Sequence, residues 1–166
     1  MKRLSRLGLV VAILIACVGC DQATKSIAKK ALISSPPISL LGGAIRIEYS
    51  ENPGAILGLG ANLPEGARLL FSGVFAGIVL AAALAFAAKP QILGLLPLAG
   101  LSLVAAGGIG NLLDRIFNEG SVIDFISLGI GPLRTGIFNV ADVAIFAGVP
   151  IFLLFNKMDK AKVNAA

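Results

Sequence analysis

Three long stretches without a basic residue, two of them with no charge at all, constrain this chain more than any other feature. Residues 69–88, 92–113 and 137–155 comprise 20, 22 and 19 residues, and Asp142 is the only ionisable residue among them. A helix that crosses the roughly 30 Å hydrocarbon core of a bilayer needs about 20 predominantly apolar residues. Each stretch is therefore predicted to form a transmembrane helix.

The N-terminal region predicts one more span. Residues 7–20 form an apolar run of 14 residues, which is too short alone, but the sequence stays compatible with a helix as far as residue 32. We therefore expect a single membrane domain over residues 1–166. Its four spans are predicted at about 7–32, 69–88, 92–113 and 137–155, and its outer loops at about 33–66 and 115–136.

The composition agrees with an integral membrane protein. Hydrophobic residues make up 57% of the chain, charged residues make up 14%, and the mean hydropathy is +0.92. The chain contains no histidine, which excludes a Ser-His-Asp triad, a histidine-ligated zinc site and an imidazole general base. Acid-base chemistry is therefore expected to depend on the nine acidic residues.

The first outer loop contains the pattern of a short strand. Apolar and polar residues alternate over 45–49, which is typical of a half-buried strand, and turn-forming residues stand at 42–43 and 52–54. The predicted fold class is an all-α integral membrane protein. It has four transmembrane helices and a small extracytoplasmic β-sheet on the first outer loop.

The distribution of charge bears on orientation. Four spans place both termini on one side, and the seven basic residues there are matched by seven on the other side, so the positive-inside rule gives a tie. Three basic residues precede the first helix, which usually dominates, and this favours cytoplasmic termini. Eight of the nine acidic residues lie on the opposite side, which predicts acid chemistry at the outer face.

Two aspartates are the strongest candidates for function. Asp142 lies within the fourth predicted span, three residues after Asn139, and an acid at the centre of a span costs about 2.5–3.5 kcal/mol on insertion scales. Asp124 lies among apolar residues beyond the third span, and such surroundings raise the pKa of a carboxyl group. The alternatives are an Asp142 that reaches the interface or pairs with a lysine, and an Asp124 that forms a turn.

Three further ionisable residues are interpreted as structural. Asp21 and Lys25 are four residues apart at the end of the first predicted span, a spacing that favours an ion pair within one helix. Asp114 ends the third predicted span and is expected to pair with a basic side chain.

Five segments follow one another along most of the chain. They are Asp21-Gln22-Ala23-Thr24-Lys25, Asn52-Pro53-Gly54-Ala55, Gly110-Asn111-Leu112-Leu113-Asp114-Arg115, Val122-Ile123-Asp124-Phe125 and Phe138-Asn139-Val140-Ala141-Asp142. In this order, on a four-span chain of this size, they resemble the bacterial lipoprotein signal peptidases (signal peptidase II). One such segment would be weak support, whereas five in sequence make a strong match.

The resemblance implies an intramembrane aspartic endopeptidase. Members of the family remove signal peptides from diacylglyceryl-modified prolipoproteins and cleave just before the lipidated cysteine. By similarity, the catalytic pair is Asp124 and Asp142, and no metal or cofactor is expected. The similarity further implies substrate binding by Asn52, Gly54, Asn111, Arg115 and Asn139, with supporting roles for Asp21, Lys25 and Asp114.

The resemblance also implies partners and a location. The expected partners are diacylglyceryl prolipoproteins and membrane lipids, with no nucleic acid, and the expected state is a monomer. The expected location is the bacterial cytoplasmic (inner) membrane, with both termini cytoplasmic and the active site at the extracytoplasmic face.

Two other functions stay open from the residues alone. Membrane acids also act as proton relays, so a small proton-coupled transporter subunit is the alternative, and it predicts polar residues near the middle of several spans. The third hypothesis is a structural lipoprotein or assembly factor. It is supported by Leu14-Ile15-Ala16-Cys17, which follows a basic N-terminus and fits a lipoprotein cleavage site. Mass spectrometry of the mature N-terminus separates this third hypothesis, because a lipidated Cys17 would overturn the four-span topology.

Overall fold

A computed structural model of the chain describes residues 3–53, 63–89 and 92–164. Within these residues, four helices each contain a segment that is long and apolar enough to cross a membrane. The helices are α1 (Arg3–Leu32), α2 (Glu65–Ala87), α3 (Leu95–Phe117) and α4 (Val140–Asn164). The prediction of four apolar helices is therefore confirmed.

Helix α3 is the central element of the bundle. In its most apolar segment 61% of the residues are buried, against 17% or less in the corresponding segments of the other three helices. Glycines allow this central position, because a Cβ atom on Gly107 would overlap the carbonyl group of Ala141 on α4. The backbones of α3 and α4 are therefore in direct contact near the first turn of α4.

Both outer loops contribute to one antiparallel sheet, in the order β1 to β4. Its strands are β1 (Ile38–Leu40), β2 (Ile45–Asn52), β3 (Val122–Ile130) and β4 (Leu133–Arg134). The strand predicted at 45–49 is confirmed as part of β2. Its neighbour β3 comes from the second outer loop, where no strand was predicted, because the continuous apolar run around Asp124 has no period-two signal.

The strand register gives the sheet two different faces. Cross-strand partners share a face, as do alternate residues of one strand. On one face, the part beyond the Ser50–Asp124 pair is entirely aliphatic; we call this part the apolar face, and it consists of Ile38, Leu40, Ile45, Ile47, Ile126, Leu128, Ile130 and Leu133. The opposite, polar face carries Ser39, Arg46, Ser127 and Arg134.

Helix α4 begins later than the apolar run from which it was predicted. Phe138 forms a bridge with Ile126 of β3, and the Phe138 N–H donates to the Ile126 carbonyl group at 2.8 Å. Since this backbone is engaged with the sheet, the helix starts at Val140 rather than at residue 137. Asp142 consequently lies in the first turn of α4.

Candidate active site

The first turn of α4 holds Asp142 in a reciprocal capping arrangement. Asn139 Oδ1 accepts a hydrogen bond from the Asp142 backbone N–H at 2.9 Å, and Asp142 Oδ2 accepts one from the Asn139 backbone N–H at 3.3 Å. Such a pair satisfies N–H groups that have no partner inside the helix. The start of α4 therefore fixes the position of the Asp142 carboxyl group.

Asp124 lies on β3, and amide groups donate to both of its carboxyl oxygens. Asn139 Nδ2 donates to Oδ1 at 2.7 Å, and Asn52 Nδ2 donates to Oδ2 at 3.1 Å. Burial, together with the neighbouring Asp142, raises the pKa of Asp124 to about 6 against the opposing effect of the two amide donors. The Asp124 carboxyl group therefore changes its protonation state close to neutral pH.

Asn111 on α3 completes the network between the two aspartates. Its Nδ2 donates to Asp142 Oδ1 at 2.9 Å, and its Oδ1 accepts from Asn139 Nδ2 at 3.1 Å and from Lys25 Nζ at 3.0 Å. An ammonium group only donates, so the Asn111 oxygen faces Lys25 and its nitrogen faces Asp142. The orientation of both asparagine amides follows from this one lysine.

Lys25 is the centre of a buried ion cluster. Its Nζ lies 2.8 Å from Asp21 Oδ2 and 2.9 Å from Asp114 Oδ2, and each of the three side chains is 3% exposed or less. Gln22 Nε2 also donates to Asp114 Oδ1, at 2.9 Å. All three donor hydrogens of the ammonium group are thus used, by two carboxylates and Asn111, which is how a charge is accommodated in an interior.

Each of the two acids of this cluster accepts a hydrogen bond from the backbone N–H of the residue that precedes one of the predicted catalytic aspartates. Asp21 Oδ1 accepts from the Ala141 backbone N–H at 2.8 Å, and Asp114 Oδ2 accepts from the Ile123 backbone N–H at 2.9 Å. A Cβ atom on Gly110 would lie 2.7 Å from Asp21 Oδ2, so glycine leaves room for this contact. The ion cluster therefore connects β3 to α4 through α1 and α3.

An open cleft of about 1120 Å³ is lined by both aspartates. It exceeds the roughly 300–1,000 Å³ of most small-molecule pockets. Its polar lining includes Ser50, Asn52, Asn111, Arg115, Asp124 and Asp142, and its apolar lining includes Phe71, Phe75, Val143, Ile145, Phe146 and Ala147 from α2 and α4. A carboxyl pair, amide groups and a hydrocarbon surface therefore face the same space.

Nine of the ten predicted site residues lie in this network or in the cleft lining, and Gly54 lies outside the described residues. Arg115 lines the cleft, is 6% exposed, and donates from Nη1 to the Asn111 carbonyl group at 3.1 Å. Asn139 is completely buried and contacts both aspartates without lining the cleft.

Sequence reasoning missed several contributors to the site. Gln22 lies in the first of the five family-like segments but has no predicted role, although its spacing of three residues from Lys25 places both on one side of α1. The aromatic residues Phe71 and Phe75 were hidden in a uniformly apolar span, and no pattern there distinguishes a cleft from a lipid-facing surface.

Comparisons with known proteins identify the family of this chain. A family model described as signal peptidase (SPase) II matches residues 13–157. A lipoprotein signal peptidase of Syntrophus aciditrophicus is 38% identical over 146 residues, covering 86% of this chain and 87% of the relative. One from Desulforapulum autotrophicum is 35% identical over 161 residues, covering 95% and 96%.

The fold is also similar to that of a solved structure. A bacterial membrane enzyme aligns with a TM-score of 0.78 at 28% identity, and the alignment covers 93% of this chain and 91% of that protein. The family match spans the segments that supply the ion cluster, the asparagines and both aspartates. The chain belongs to the signal peptidase II family of lipoprotein signal peptidases.

Proposed function

We propose that this protein is an intramembrane aspartic endopeptidase that removes signal peptides from diacylglyceryl-modified prolipoproteins, just before the lipidated cysteine. The observation that carries the proposal is the joining of Asp124 and Asp142 through one buried asparagine at an open cleft. Two neighbouring carboxyl groups do not both ionise readily, so the pair holds one proton and can act as acid and base together.

Asp124 is the general base in this proposal. Both of its oxygens accept side-chain N–H groups, at 2.7 and 3.1 Å, and such donors favour the ionised form. Among the hydrogen bonds donated to the Asp124 and Asp142 carboxyl groups, the longest is the 3.3 Å bond from the Asn139 backbone N–H to Asp142 Oδ2. The shared proton is therefore assigned to Asp142 Oδ2.

The reaction then follows from these positions. Asp124 removes a proton from a water molecule, whose oxygen forms a bond to the scissile carbonyl carbon, while protonated Asp142 donates a hydrogen bond to the carbonyl oxygen. The tetrahedral intermediate collapses with cleavage of the C–N bond, and the proton taken up by Asp124 passes to the departing amine. One water is consumed, and the products are a carboxyl and an amine terminus.

The remaining cleft groups are assigned to the substrate. Asn52, Asn111 and Arg115 line the cleft beside the carboxyl pair, and their side chains supply donors and acceptors for an extended peptide backbone. Gly54 is proposed to contribute from the same loop. Asn139 is assigned to positioning because it is buried, and the apolar lining of α2 and α4 is assigned to the acyl chains.

The proposed location rests on the family and on the three basic residues before the first apolar run. Both termini are cytoplasmic, the outer ends of the helices and the sheet face the extracytoplasmic side, and the protein acts as a monomer in the bacterial inner membrane. The carboxyl pair then lies at the bilayer edge, because Asp142 is in the first turn of α4.

Substrate class is tested with a matched pair of prolipoproteins. Purified protein is incubated with a diacylglyceryl prolipoprotein and with the same polypeptide lacking the lipid, and the products are identified by mass spectrometry. We expect cleavage before the lipidated cysteine and much slower cleavage of the unlipidated form, since the apolar lining gains no acyl contact. Cleavage of neither substrate would contradict the peptidase assignment.

A pH profile tests the role of Asp124. A general base must be ionised, and Asp124 becomes protonated as the pH falls through its pKa of about 6. We therefore expect kcat/KM to fall by about tenfold per pH unit below about pH 6. The protein's circular dichroism, followed over the same range, controls for unfolding. A kcat/KM that stays constant from pH 7 down to pH 5 would exclude Asp124 as the base.

A further inference from the structure

The apolar face of the sheet is exposed at the end farthest from the carboxyl pair. Ile130 and Leu133 are 85% and 81% exposed, and Ile38, Leu40 and Leu128 are between 40% and 48% exposed. These side chains are on one face of paired strands, so they form a contiguous hydrocarbon surface. Surfaces of this kind mark a site of contact with a membrane or another molecule.

The chemistry of the two faces favours lipid as the occupant. All eight side chains of the apolar face are isoleucine or leucine, and none can form a hydrogen bond with a bound peptide. Acyl chains need no such partner. The polar face, which includes the exposed Ser39 and the half-buried Arg46, is suited to water and headgroups, and an element with one apolar and one polar face can lie in the bilayer interface as amphipathic helices do.

The position of the face in the fold supports the same occupant. The face continues along β3 to Asp124, which alternates with Ile126 and lines the cleft at the outer ends of α3 and α4. On the other edge, β1 begins six residues after α1 ends at Leu32, a distance of at most about 20 Å for an extended chain. The sheet is thus connected at two points to helix ends that are apolar enough to cross a membrane.

We infer that the exposed end of the apolar face is inserted among the acyl chains of the outer leaflet, so that the sheet is a second, monotopic membrane contact beside the four helices. This contact goes beyond the proposed peptidase activity and does not depend on it. It holds the sheet, and with it Asp124, at a constant depth relative to the bilayer.

The chain contains no tryptophan, so a single introduced tryptophan is an unambiguous reporter of depth. The variants Leu133→Trp and Ile130→Trp probe the apolar face, and Ser39→Trp is the matched control, because Ser39 is exposed on the polar face. Each protein is reconstituted in phosphatidylcholine and phosphatidylglycerol vesicles whose acyl chains are brominated, and in unbrominated vesicles. Unchanged circular dichroism verifies the fold of each variant.

We expect Leu133→Trp and Ile130→Trp to show blue-shifted emission and to lose most of their fluorescence in brominated vesicles, while Ser39→Trp keeps most of its own. Emission at the aqueous maximum without quenching at both apolar positions would overturn the inference. A blue shift at those positions only after addition of prolipoprotein would also overturn it, since the face would then bind substrate instead of lipid.

Discussion

We expect Asp124→Asn and Asp142→Asn each to abolish cleavage while leaving a folded, membrane-inserted protein. Asparagine has the shape of aspartate and keeps an acceptor oxygen, so the amide introduced by Asp142→Asn retains the reciprocal bond with Asn139 that caps α4. It cannot exchange a proton, and removing a general acid or base typically costs about 10²–10⁴ in rate. Because both members of the proposed pair are needed, we expect the same loss from either substitution.

The measurement is kcat/KM of each purified variant on the diacylglyceryl prolipoprotein, with thermal unfolding recorded in parallel. Glu119→Gln is a suitable control, because Glu119 is an exposed acid of the same outer region, and we expect it to leave activity unchanged. Turnover within a few fold of the unmodified protein by either aspartate variant would rule out the carboxyl pair. A loss of activity that merely parallels a loss of folded protein would point to a structural role.

Lys25→Met has the second largest expected effect, and it acts on stability as well as on activity. The substitution leaves Asp21 and Asp114, both nearly completely buried, without their cation. Removing one partner of a buried ion pair costs about 3–5 kcal/mol. It also removes the donor that sets the amide orientation of Asn111, so the hydrogen bond from Asn111 to Asp142 loses its fixed direction.

Thermal unfolding and kcat are measured on Lys25→Met and on Lys29→Met. Lys29 lies one turn later on the same helix, and its Nζ bonds to Asn118 at 2.7 Å in an exposed position, so its removal is expected to cost less than about 1 kcal/mol. At a temperature where Lys25→Met stays folded, we expect its kcat to fall more than its KM rises. A Lys25→Met protein with the stability and kcat of Lys29→Met would contradict the central role of the cluster.

Sequence patterns located most of the candidate site but not its organisation. The spacing of Asp21 and Lys25 predicts their ion pair, which is present at 2.8 Å. Nothing in that spacing indicates that Asp114, 89 residues after Lys25, shares the same ammonium group. Such a contact depends on how α1 packs against α3, and packing partners are not encoded in the period of a uniformly apolar helix.

The second outer loop shows the same limit at the level of secondary structure. The sequence of residues 122–125 indicates only an acid among apolar residues, whereas β3 is a strand because β2 is available to pair with it. A strand buried on both sides has no alternation to detect. The same pairing draws residue 138 into the sheet and delays the start of α4, which brings Asp142 into the first turn.

The sequence by itself determined that this is a membrane protein with four apolar helices. It also determined the absence of imidazole chemistry and which acids are available for a reaction. Each of these follows from run length, composition or local spacing, which do not depend on distant contacts. Only the tertiary structure decided which acids meet, which atoms of Asn111 and Asn139 face them, and which residues are buried behind the cleft. The reason is physical: a carboxyl group takes its protonation state from its burial and from partners that folding brings close.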